Sequence, residues 1–145
     1  MHRSSDTAAK VDLLKNVGLF SDCSKQELTK IAEKCREQHV PSGTVIVEQG
    51  SIGDRFFVLA EGLAHVHVDG YKAASISAGS FFGEMALIEH EVRSATVTAE
   101  LPCRLLVIDE RDFPTVRAVP SVSDKVMKAM SERLRRANHP VGERT

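Results

Sequence analysis

Apolar positions along this chain follow two periods, and the switch between them divides the sequence. Early on, Leu28, Ile31, Ala32 and Cys35 recur at helical spacing. Ser24-Lys25-Gln26-Glu27 stands just ahead of them as a capping box, with Ser24 as N-cap and Glu27 three residues on. A helix carrying that stripe is predicted, pinned to the rest of the domain by Leu19 and Phe20. From Val40 to Ile108 the pattern changes to short β-rich runs, most of them separated by glycine-bearing turns. The runs are Val45–Val47, Phe56–Leu59, Ala64–Val68, Ala74–Ile76, Ala95–Thr98 and Arg104–Ile108. Short strands at regular intervals predict an antiparallel β-barrel or jelly roll, a mainly β fold with flanking α-helices.

Helical spacing returns after the last strand. Asp109 to Val119 reads as helical, but Pro114 removes an intrahelical donor, which predicts a broken or 3₁₀-like start. Pro120 and Ser121 open a final helix with Val126, Met130, Leu134 and Ala137 on one stripe. The expected organisation is a flexible N-terminus over 1–12, one domain over 13–137 and a flexible tail over 138–145.

Composition adds exclusions. At 145 residues the chain is one ordinary domain with enough length for a core. The 19 basic and 20 acidic residues leave a net charge of -1, so no long-range field recruits nucleic acid. No apolar run reaches the roughly 20 residues that cross a bilayer, and Met1 to Lys10 lacks the apolar stretch of a signal peptide. The three cysteines have no metal-ligand spacing, which favours reduced thiols and a cytoplasmic setting. The 145 residues also leave no room for a helix-turn-helix after the last helix, so direct DNA binding is not expected.

Phe82-Gly83-Glu84-Met85-Ala86-Leu87-Ile88, followed by Arg93-Ser94-Ala95-Thr96, concentrates the candidate chemistry. Gly83 lets backbone approach a ligand closely. A short helix beginning there would turn free N–H groups toward an anion. Glu84 offers a carboxylate suited to sugar hydroxyls, and Arg93 a planar fork suited to phosphate oxygens.

In order and spacing, these residues resemble the phosphate-binding cassette of cyclic nucleotide-binding domains, which share the double-stranded β-helix architecture of cupins. The resemblance extends from about Leu13 to Leu134. It includes Pro41-Ser42-Gly43-Thr44, Gln49-Gly50-Ser51-Ile52-Gly53-Asp54, and Phe56–Leu59 closed by Glu61-Gly62. It implies that Arg93 pairs with a cyclic phosphate and that Glu84 accepts from the ribose 2′-hydroxyl. Met85 and Ala86 would contribute backbone N–H groups, Ser94 would touch phosphate, and Phe82, Gly83 and Ala95 would complete the binding segment. It also implies that the last helix folds over the purine as a lid, with Met130, Arg133 and Leu134 as its candidates. Many members carry proline immediately before the arginine, where this chain has Val92.

The resulting expectation is a sensor of cyclic AMP, with cyclic GMP as the other ligand, that shifts its C-terminal helix on binding and is not itself an enzyme. Its partners would be the cyclic nucleotide and an effector domain or separate effector protein. Two alternatives stand beside it: a degenerate scaffold that binds nothing, and a small metal-dependent cupin enzyme. The second draws on His65-Val66-His67, whose alternation places both imidazoles on one face. Val66 and Val68 are expected to face inward, turning the histidines to solvent.

Overall fold

The computed structural model describes residues 2–83 and 92–137, with side chains throughout except at 2–6, 129, 130 and 133–137. Among the described residues, four α-helices, α1 His2–Leu14, α2 Lys25–Ala32, α3 Phe113–Arg117 and α4 Pro120–Ala137, flank eight strands. The strands are β1 Cys35–Val40, β2 Val45–Val47, β3 Arg55–Glu61, β4 Leu63–Val68, β5 Tyr71–Ser77, β6 Phe81–Phe82, β7 Thr96–Ala99 and β8 Cys103–Asp109. They form two four-stranded antiparallel sheets, β1-β8-β3-β6 and β2-β7-β4-β5, packed as a jelly roll.

Two cores explain why β3 and β8 read as unbroken apolar runs while β4 and β7 alternate. Phe57, Leu59, Leu105 and Val107 face Ala64, Val97 and Ala99 of the opposite sheet inside the roll. Their chain neighbours Phe56, Val58, Leu106 and Ile108 face the other way, onto a layer built from Leu14, Phe20, Leu28, Ile31, Phe113, Val116, Val122 and Val126. A central strand buried on both faces needs apolar residues at every position. Phe20 is fully buried and meets Phe56 edge to face at 5.7 Å, so the segment before α2 does pin the helical layer.

Capping at α2 follows the sequence. The Ser24 hydroxyl accepts from the Glu27 N–H at 3.1 Å, and the Glu27 carboxylate accepts from the Ser24 N–H at 2.8 Å. The break before α3 also occurs, as a 3₁₀ turn over Glu110–Asp112 with Pro114 in the first turn of the helix that follows.

Three elements depart from the sequence reading. First, α2 stops at Ala32, and Cys35 begins β1, where it pairs with Ile108. Second, α1 runs through the segment read as a frayed terminus. Val11 and Leu14 enter the helical core, and the Lys10 ammonium donates to the Cys35 carbonyl at 3.0 Å. Third, Val66 packs inward, but Val68 is exposed, because β4 extends past the core to the turn at Asp69-Gly70.

Candidate functional site

One edge of the roll gathers an arginine, a glycine and an aromatic pair from segments distant in sequence. The short strand β6 pairs with β3, setting Phe82 opposite Phe57. Their rings stack with centroids 4.9 Å apart and planes 12° off parallel. Two guanidinium groups close on the same buried Phe57 ring, Arg55 at 5.3 Å and Arg93 at 6.0 Å from its centroid. That separation is within reach of cation–π attraction, which keeps cationic groups beside an apolar wall.

Main chain fixes where Arg93 starts. Its N–H donates to the Ser51 carbonyl at 2.7 Å, and its own carbonyl accepts from the Gly50 N–H at 2.9 Å. The preceding Val92 forms a bridge with Ile52. From this base the side chain reaches across β3, and Nη2 donates to the Arg55 carbonyl at 2.6 Å. Gly83 lies directly beneath, with φ at 84°. A Cβ there would fall 2.7 Å from Arg93 Nη1 and 2.8 Å from the Arg55 carbonyl oxygen. Glycine is therefore required twice over, by backbone conformation and by the close approach of the guanidinium.

Arg93 and Gly83, predicted together, are in contact, and Phe82 is adjacent through Phe57. Ser94 is exposed and Ala95 half-buried, between Arg93 and the start of β7. Glu84, Met85 and Ala86, and the short helix expected to start at Gly83, lie outside the described residues. The backbones of Met130, Arg133 and Leu134 fall within α4, but their side chains are likewise outside them. Earlier in α4, Val122 and Val126 are buried and Met127 is exposed. The first turns of α4 are tied down: Ser121 contacts Glu27 at 3.4 Å, and Lys125 pairs with Asp22 at 3.3 Å.

Arg55 and Phe57 carry site geometry that the sequence reading missed. Phe57 belonged to a recognised strand but looked like any core residue. Arg55 contributes through a main-chain oxygen, which no residue pattern advertises.

His65 and His67 do share one face of β4, with ring centroids 6.2 Å apart. His65 Nε2 contacts the Glu100 carboxylate. Among the described residues, no group of three His, Cys, Asp or Glu side chains is arranged to hold a metal ion. The cysteines are all free thiols. Burial pushes Cys35 up to about 12, and burial together with the nearby Glu27 and Asp22 pushes Cys23 up to about 11. Neither thiol is a ready nucleophile. Among the described residues, no helix is long and apolar enough to cross a membrane.

Comparison with known proteins supplies the context for this geometry. The chain is 34% identical over 132 residues to a cyclic nucleotide-gated potassium channel of Rhizobium etli, a match covering 90% of this chain and 37% of the channel. It is 33% identical over 102 residues to a cAMP-dependent protein kinase regulatory subunit of Schizosaccharomyces pombe, covering 70% of this chain and 25% of that protein. The chain thus spans well under half the length of these relatives. Among solved structures, the regulatory domain of Toxoplasma gondii PKA in co-crystal with cAMP superposes with a TM-score of 0.76 at 30% identity, covering 89% of this chain and 51% of that one. The N-terminal domain of a transcriptional regulator from Streptomyces coelicolor superposes with a TM-score of 0.73 at 27% identity, covering 88% of this chain and 95% of that one. The family model described as "Cyclic nucleotide-binding domain" matches residues 37–118, from β1 through α3 and across the Gly83–Arg93 contact. By that match, over more than half its length, the chain belongs to the cyclic nucleotide-binding domain family.

Proposed function

We propose that the protein is a regulatory sensor that binds cyclic AMP in preference to cyclic GMP and reports binding through α4. The observation that carries this reading is the Arg93 guanidinium, held over Gly83 by the Arg55 carbonyl at 2.6 Å. A fixed planar cation beside backbone with no Cβ suits a singly charged cyclic phosphate. In this reading Arg93 pairs with the phosphate, Met85 and Ala86 donate backbone N–H groups to it, and Ser94 adds a hydroxyl. Glu84 accepts from the ribose 2′-hydroxyl, while Phe82, Gly83 and Ala95 shape the floor and rim.

Signal output follows from α4 being held at one end. Its first turns are packed and ion-paired, as Val122, Val126 and Lys125 show, whereas Met127 already faces solvent. The segment carrying Met130, Arg133 and Leu134 would close over the purine. Closure is driven only if ligand binds the closed form better than the open one. An effector domain or separate effector protein would read that movement, and the protein itself catalyses nothing in this scheme. The free thiols fit a cytoplasmic location.

Calorimetric titration with cyclic AMP and cyclic GMP side by side tests the proposal. Saturable binding of both, with modestly tighter binding of cyclic AMP, is expected. No heat from either nucleotide with folded protein at millimolar ligand would overturn it.

A further inference from the structure

Gln49 has no part in the ligand contacts described above, yet it sits where three elements meet. Glu48 to Ser51 form a turn closed by the Ser51 N–H on the Glu48 carbonyl at 3.1 Å, with Gly50 at φ 90° in the third position. At the second position, Gln49 donates its own N–H to Thr96 Oγ1 at 2.9 Å, on the first residue of β7. Its side-chain amide grips the β4–β5 turn with both ends. Nε2 donates to Asp69 Oδ1 at 2.9 Å, and Oε1 accepts from the Asp69 N–H at 2.8 Å. Asp69 and Gly70, with φ of 53° and 85°, make the tight two-residue hairpin turn that presents these groups. The next two residues after Gln49 are the ones that hold Arg93 from both sides, the Gly50 N–H and the Ser51 carbonyl.

We infer that Gln49 is a positioning residue for Arg93: by clamping the 48–51 turn to the β4–β5 hairpin and to β7, it fixes the main chain from which the phosphate-binding arginine extends. Glu48 and Gly50 are exposed, and among the described residues the turn is otherwise held by the Ser51 hydroxyl on the Glu48 carbonyl at 2.6 Å and by its main-chain bonds to Arg93. Without the clamp, the Arg93 backbone would keep its two hydrogen bonds but lose the fixed frame behind them. Its guanidinium would then meet the ligand from a wider range of positions, and ordering it would cost affinity.

This inference rests on the proposed role of Arg93 in cyclic nucleotide binding, so the experiment separates the two. In the ligand-free protein, amide hydrogen exchange at Gly50 and Arg93 is compared between wild type and Gln49→Ala, with Leu106 in β8 as reference. Faster exchange at Gly50 and Arg93, with Leu106 unchanged, is expected. By calorimetry, Gln49→Ala should weaken cyclic AMP binding roughly threefold to tenfold, the scale of one or two partly exposed hydrogen bonds. Gln49→Glu alone should weaken it as well, because two carboxylates then face each other. Combining Gln49→Glu with Asp69→Asn restores the side-chain hydrogen bond with donor and acceptor exchanged, while the main-chain N–H of residue 69 still donates to the side chain at 49. The pair should return affinity to within about twofold of wild type. Wild-type exchange and affinity in Gln49→Ala, or no recovery in the exchanged pair, would overturn the positioning role. A wild type that binds no cyclic nucleotide would overturn the proposed function, and the exchange result would then decide the role of Gln49 by itself.

Discussion

Arg93 donates from Nη2 to the main-chain carbonyl of Arg55 at 2.6 Å, joining the residue after the Ile52–Val92 bridge to the first residue of β3. The bond sets the direction of the guanidinium before any ligand arrives. It also means that the position of the guanidinium is set in part by backbone, which side-chain substitution at Arg55 would leave in place.

Gly83→Ala should damage the site more than its size suggests. The new methyl group would sit 2.7 Å from Arg93 Nη1 and 2.8 Å from the Arg55 carbonyl oxygen. The left-handed conformation adds about 1–2 kcal/mol of strain for a non-glycine residue. Gly43→Ala is the control, because it shares the positive φ but meets nothing within 4 Å. Both variants should lose stability in urea unfolding, Gly83→Ala more than Gly43→Ala because its methyl also meets the Arg55 carbonyl. Only Gly83→Ala should also weaken cyclic AMP binding, by roughly tenfold, equivalent to about 1.4 kcal/mol.

Glu84→Gln checks the proposed sugar contact. A hydrogen bond to a charged group is worth about 1.5–3 kcal/mol, so the variant should bind cyclic AMP less tightly by that scale. The 2′-deoxy analogue should bind wild type poorly and the variant about equally poorly. Equal binding of both ligands by wild type would remove Glu84 from the ribose.

Strands β3, β4 and β8 were legible in the sequence because an apolar run or alternation signals burial directly. Strand β1 was not. Between Cys35 and Val40 it carries Arg36, Glu37, Gln38 and His39, and it exists through pairing with β8 and the two-point contact of Arg36 with Asp109 at 2.8 and 3.1 Å. Cys35 therefore looked like the next turn of α2. Strand β6, only Phe81 and Phe82, is too short to show any period. At the site, Gly83 and Arg93 were readable as chemistry, whereas the Arg55 carbonyl and the Gln49 clamp are products of tertiary contact.

The Arg36–Asp109 pair gives the fold an acid-sensitive component. Hydrogen bonding from Arg36 holds the Asp109 carboxyl below its usual range. A carboxyl depressed in the folded chain contributes fully above its unfolded pKa, about 3.9, and loses that contribution as pH falls through the lower folded value. Both side chains are partly exposed, so Asp109→Asn should cost no more than about 1 kcal/mol at neutral pH. In urea unfolding followed down the acid range, the gap between wild type and Asp109→Asn should close toward the acid end. A gap that widens on acidification would contradict the assigned sign.

Ligand should also change α4 unevenly. The first turns, held by buried Val122 and Val126 and by the Lys125–Asp22 pair, should show little change in hydrogen exchange. Residues 127–137 should become protected at saturating cyclic AMP, as the helix closes over the base. Unchanged exchange across 127–137 would remove α4 as the lid, and the signal would have to leave through another element.

The most direct test of the central claim is calorimetric titration of cyclic AMP into wild type and Arg93→Ala under identical conditions, with circular dichroism confirming that both are folded. Truncating one partner of a close charge pair costs about 2–5 kcal/mol. The variant should therefore bind roughly thirtyfold to several-thousandfold more weakly, with its fold intact. Wild-type affinity in folded Arg93→Ala would contradict the account, because the ligand would then not depend on the guanidinium held between Gly83 and Arg55.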